Sequence, residues 1–151
     1  MDASLIAFLL DFAVKFSELP AVAPSDLPPI RAVSRSEMRA LACDDAQAAC
    51  DQIVALFDAE HYVIVYLQTL DLESAEDNSF LLHELVHVLQ FRSRGASMYE
   101  NCNALLQTEA QAYRAQNAYL RREGRLMQVG AMLGATTCAA RNPIAAGRTT
   151  F

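Results

Sequence analysis

Several things are missing from this 151-residue chain, and each absence removes a class of function. It has no glycine-rich phosphate loop and no GxSxG elbow. That removes phosphate cradling by backbone amides and nucleophilic serine chemistry. It has no Lys/Arg stripe, and its net charge is −6. Nucleic acid is therefore not an expected partner. No apolar run is long enough to span a bilayer. The best candidate, ASLIAFLLDFAVKF, is broken by Asp11 and Lys15. Asp2 is acidic where a secretory leader would be basic, so the segment does not read as a signal peptide. Instead Leu5, Phe8, Leu9, Phe12 and Phe16 fall at helical spacing. They predict an amphipathic helix over residues 2–17 that packs on the core.

No two of the four cysteines form a CxxC pair, which argues against a cysteine-ligated zinc knuckle. The even count permits two disulfides. Sequence alone leaves three pairings open, with Cys43–Cys50 and Cys102–Cys138 favoured. Two disulfides would suit an exported protein, periplasmic or secreted.

What is present suits a single globular domain over residues 1–151. Hydrophobic residues make up 53% of the chain and charged residues 20%. The proline-rich stretch 19–29 reads as an extended crossing, and IRAV (30–33) as a short strand. Ser34 and Glu37 have capping-box spacing for a helix over 35–42. IVALFD (53–58) and YVIVYLQTL (62–70) read as strands of a hairpin turned by DAEH. Two long helices follow. One opens near Ser74, Asp77 or Asn78 and closes with Arg92, Arg94 and Gly95. The other opens on a Ser97/Glu100 capping box and closes at Gly124. Residues 125–151 start helically and become a Gly/Ala/Thr-rich tail. The expected fold is α+β: a short sheet on two antiparallel helices, with an extra N-terminal helix.

The chemistry lies in FLLHELVHVLQF, residues 80–91. His83 and His87 are four residues apart, so both imidazoles lie on one helix face. Glu84 sits about 100° round from His83, at the edge of that face. This is the HExxH signature, in which two histidines hold a metal and the glutamate reaches its water. The bland alternative is a hydrogen-bonded histidine pair, which would leave buried polar groups costly to desolvate. A catalytic zinc takes a third protein ligand. His61, on the hairpin turn, is one candidate. Glu109 is the other: it shares one helix face with Leu105, Leu106, Ala112, Tyr113 and Gln116, in the middle of an apolar stripe. A carboxylate there needs a cation, either a metal or an arginine such as Arg92 or Arg114. Ala110 and Ala112 would let the two helices approach closely.

His83-Glu84-x-x-His87 followed by Glu109 on the next helix resembles the gluzincin class of zinc metallopeptidases. HELVHVLQ and EAQAY particularly resemble small bacterial members of the minimal gluzincin type. The resemblance covers about residues 53–123. It implies a bound zinc ion, His83, His87 and Glu109 as its ligands, Glu84 as general base, and a peptide or protein substrate. It also implies that the strand before the helix, residues 62–67, is an edge strand that aligns an extended peptide. Larger members carry a C-terminal domain that completes the cleft and supplies an oxyanion donor. Here Tyr99, Tyr113 or His61 would have to supply it, and Asp71, Glu73 or Glu100 would buttress the histidines. The expected function is that of a zinc-dependent peptidase. The alternative is a non-catalytic zinc-binding or partner-binding protein on the same scaffold. The intact Glu84 favours the peptidase, because a scaffold needs only the ligands.

Overall fold

The computed structural model describes residues 2–43, 51–135 and Cys138. Helix α1 (Ala3–Ser17) starts where Asp2 Oδ1 accepts a hydrogen bond from the Ser4 N–H at 2.9 Å. It buries Leu9, Leu10, Phe12 and Ala13, as an amphipathic helix should. Phe8 was expected on that face but stays 43% exposed at its rim, with its ring edge-on to Phe12 and Tyr119. Strand β1 (Ile30–Val33) and helix α2 (Arg35–Ala42) follow, and both arms of the Ser34/Glu37 capping box are made.

Strands β2 (Ala55–Asp58) and β3 (Val63–Leu67) form the expected hairpin. The turn has no Asn-Gly pair because Asp58 closes it with its side chain. Its Oδ1 accepts from the Glu60 and His61 N–H groups, and Tyr62 takes a left-handed φ of 50°. β3 also pairs in parallel with β1, so the sheet order is β1-β3-β2. This corrects the edge-strand expectation. The strand within residues 62–67 is central, flanked on both sides, and the edge strands are β1 and β2, with β2 the one beside α3.

Helix α3 (Ala75–Arg94) is the centre of the molecule: every residue from Leu81 to Gln90 is buried. β2 covers one side and α1 and α4 the others. A helix apolar on almost every face requires such all-round cover. It ends at Gly95 and a 3-10 turn, Gly95–Tyr99, before α4 (Cys102–Arg122). Ser97 and Glu100 do not open α4. Ser97 donates to the Arg94 carbonyl inside the turn, and Asn101 Oδ1 caps α4 by accepting from the Ala104 N–H at 2.9 Å. The pairs 79/116, 83/116 and 90/108 run in opposite directions along the chain, so α3 and α4 are antiparallel.

Beyond Gly124 (φ 72°) the expected helical start is absent: residues 125–130 are irregular and a 3-10 turn spans Ala131–Ala135. The Cys102–Cys138 disulfide is present, and no described cysteine is a free thiol. The expected Cys43–Cys50 pairing lies outside the described residues, because Cys50 does. No described helix is long and apolar enough to cross a membrane. The described fold is α+β, with four α-helices and a three-stranded mixed sheet.

Candidate metal centre

His83 and His87 project from consecutive turns of α3 toward Glu109 on α4. Their Nε2 atoms are 3.0 Å apart. Glu109 bridges them, with Oε2 3.3 Å from His83 Nε2 and Oε1 3.2 Å from His87 Nε2. All three residues are buried, at 7%, 4% and 3% exposure. Glu109's partner is therefore the histidine pair; Arg92 instead pairs with Asp26.

Hydrogen bonds behind the rings fix the state of the pair. Gln90 Nε2 donates to the Thr108 carbonyl, which can only accept. Gln90 Oε1 therefore faces His87 Nδ1 at 2.8 Å, and that nitrogen must carry the hydrogen. Ser79 spends its one hydroxyl hydrogen on the Glu76 carbonyl, so it accepts from Gln116 Nε2. Gln116 Oε1 then faces His83 Nδ1 at 3.0 Å, and again the nitrogen donates. With Nδ1 donating on each ring, both Nε2 atoms face one another and the Glu109 carboxylate. Such a buried cluster of two Nε2 atoms and a carboxylate needs a cation, a proton or a metal ion, at its centre. Zinc–nitrogen bonds of about 2.0–2.1 Å set ligand atoms on a tetrahedral edge of about 3.3 Å. The 3.0–3.3 Å separations here match that spacing. His83, His87 and Glu109 form a buried group that can hold a metal ion.

Electrostatics agree with the geometry. Burial opposes a charge on His87, but the Glu109 carboxylate outweighs it by charge and hydrogen bond, helped by Glu84 and Gln90. The result is a pKa raised from 6.5 to about 9. Burial likewise opposes the Glu109 charge, yet the two histidines hold its pKa well below the carboxylate range.

Glu84 stands beside the ligands without joining them. Its Oε2 accepts from the Phe57 N–H at 2.8 Å, which ties α3 to β2. The register explains the reach. The bond from the Leu67 N–H to the Val54 carbonyl makes residues 54, 56 and 58 the ones bonded to β3. Alternation then turns the backbone groups of Ala55 and Phe57 to the open edge. A pocket of about 140 Å³ joins this edge to the metal group; its lining includes Val54, Ala55, Phe80, Glu84, Tyr113 and Gln116.

The other sequence candidates sort cleanly. Tyr113 lines the pocket, with its ring edge-on to His83 at 4.6 Å between centroids. Burial, then the charges of Glu109 and Glu84, pushes its hydroxyl up to about 12. Tyr99 does not line the pocket. It lies in the turn after Gly95, a helix stretch of about 12 Å beyond His87. His61 pairs with Asp58 at 2.7 Å in the hairpin turn and stands outside the metal group. Asp71, Glu73 and Glu100 are exposed and do not buttress the histidines. Sequence reading missed Gln90 and Gln116 in that role. The available signal was a glutamine inside each buried apolar stripe.

The chain matches the family described as "domain of unknown function (DUF6647)" over residues 3–143. It belongs to the DUF6647 family. That match covers all four helices, the sheet and the three residues of the metal group. No curated protein and no solved structure matches the chain.

Proposed function

We propose that this chain is a zinc-dependent peptidase of the gluzincin type. His83, His87 and Glu109 hold the zinc and Glu84 is the general base. The observation that carries this reading is the division of labour among four buried polar residues. Three turn lone pairs to one point, while the fourth is held beside them by the Phe57 amide. A purely structural metal group would close its coordination with protein ligands. Here three converge among the described residues, beside a pocket.

Zinc, when bound, supplies a water acidified to a pKa of about 7 and polarises a substrate carbonyl. The residues of the chain do the rest. Glu84 takes the proton of the attacking water and delivers it to the leaving amine. With Oε2 engaged by Phe57, Oε1 is the atom that moves the proton. Tyr113 keeps its proton at neutral pH and donates to the developing oxyanion. An extended peptide adds to the open edge of β2, paired with the outward backbone groups of Ala55. The Cys102–Cys138 disulfide supports an oxidising, exported location.

Metal analysis and cleavage of a mixed peptide library, run together on wild type and Glu84→Gln, test the reading. Wild type should carry near-stoichiometric zinc and cut peptides. Glu84→Gln should keep the zinc and lose roughly 10²–10⁴-fold in cleavage rate. Zinc without turnover in wild type would leave the non-catalytic alternative. No zinc, even after it is added back, would sink both.

A further inference from the structure

We propose that residues 125–135, tethered through Cys138, form a strap that completes the metal centre by pinning Tyr113 against His83, with Asn117 and Gly130 as its positioning residues. The proposal rests on the zinc reading for its consequence but not for its geometry.

The strap has specific attachments to both long helices. At its far end Cys138 is bonded to Cys102, the first residue of α4. At its start Arg125 pairs with Glu76 of α3 at 3.2 Å. In the middle Asn117, buried on α4, makes both possible bonds to one backbone unit. Its Nδ2 donates to the Val129 carbonyl at 3.0 Å, and its Oδ1 accepts from the Val129 N–H at 2.9 Å. Apolar burial on the strap is partial: Val129 and Leu133 are half-buried, while Leu126 is 102% exposed. Between strap and helix lies an open pocket of about 410 Å³. Asn117 and the neighbouring Gly130 are points where the strap meets α4 side chains directly.

Gly130 lies directly on the Tyr113 ring. A Cβ built on it would sit 2.7 Å from Tyr113 Cδ1 and Cδ2, and closer still to Cγ. Its φ of 73° also disfavours a side chain. Tyr113 is thus wedged between strap backbone and the His83 ring, and His83 is in turn edge-on to His87 at 4.7 Å. The Gln116 hydrogen bond fixes one nitrogen of His83, and Tyr113 blocks the ring from swinging away. Groups that orient a ligand histidine in this way typically change metal affinity 10–100-fold when lost. The strap backbone thus backs the Tyr113 ring that stands against His83.

The test uses the full chain as wild type, Gly130→Ala, Tyr113→Ala and the double variant, with Asn117→Leu as a second way to release the strap. In metal-free protein, NMR reads the His83 ring protons, which feel the ring current of Tyr113. They should move in Gly130→Ala and in Asn117→Leu; unmoved resonances overturn the strap whether or not zinc binds. Zinc affinity, by competition with a chromogenic chelator, should fall roughly tenfold in Gly130→Ala. The double variant should be no weaker than Tyr113→Ala alone, because the strap acts through that ring. An undiminished Gly130→Ala effect in the Tyr113→Ala background would mean a general loss of stability and overturn the proposal. Moved His83 resonances with no zinc bound to wild type would keep the strap and remove the zinc reading.

Discussion

Replacing Gln90 by leucine takes away the acceptor of the His87 Nδ1 hydrogen while keeping the volume buried on α3. His87 then loses the bond that presents Nε2 to the centre. It also leaves a donor unsatisfied in a site with 4% exposure, which is costly. We expect Gln90→Leu to weaken zinc binding 10–100-fold, measured by chelator competition. Exposed Glu100→Ala should leave zinc binding unchanged. A Gln90→Leu protein with wild-type affinity would show that the tautomer of His87 is fixed some other way. The contrast marks what sequence can say at this scale. His83, Glu84 and His87 were legible because helix geometry alone places them. Glu109 was legible because a carboxylate within an apolar stripe demands a cation. The acceptors behind the rings were not, because Gln116 reaches His83 only across the two helices and the amide of Gln90 is oriented by the Thr108 carbonyl of α4. Tyr99 and Tyr113 looked equivalent by residue count; only the turn at Gly95 separates them.

Elements were read more accurately in the middle than at the ends. α2, the hairpin and both long helices lie where composition and punctuation put them. The start of α4 does not, because Ser97/Glu100 and Asn101 offer competing caps and the 3-10 turn consumes the first pair. The difference can be measured. Asn101→Ala removes a side-chain cap and should cost about 1 kcal/mol. That corresponds to roughly 2–4 °C in Tm for a chain of this size. Ser97→Ala removes only a turn bond on an exposed residue and should cost less. The reverse order in thermal unfolding would return the cap to Ser97. Sheet order was the other hidden quantity. Strand β3 is buried at every position, which a central strand requires, but its parallel partner β1 lies thirty residues earlier across a crossover. No local pattern announces that partner, so β3 reads as an edge strand from sequence although it is central.

At the scale of the whole molecule, the metal group is the point where the layers meet. Two ligands come from α3 and one from α4, and Glu84 ties the same helix to the sheet. Whatever cation sits there joins the layers, and without a metal that cation is a proton. In metal-stripped protein the His87 pKa is raised from 6.5 to about 9. A raised folded-state value means that stabilisation is complete below about 6.5 and is lost as pH climbs through about 9. From the Glu109 side the same ion pair is lost only far into acid, because its pKa is depressed. Zinc needs both imidazoles neutral, so below pH 9 it must displace the proton that already stabilises the fold. The stabilisation added by zinc should therefore grow as pH rises from about 6.5 to 9. At a thousandfold excess over Kd, binding contributes about 4 kcal/mol. That is a rise in Tm on the order of 10 °C at the upper end of the range. Thermal unfolding of stripped and zinc-loaded protein across that range measures it directly. In Glu109→Ala the zinc-induced rise should shrink at every pH, because the bridging carboxylate between α3 and α4 is gone. A rise that is flat with pH in wild type would mean that no proton is displaced, and that the cation is not held by these imidazoles.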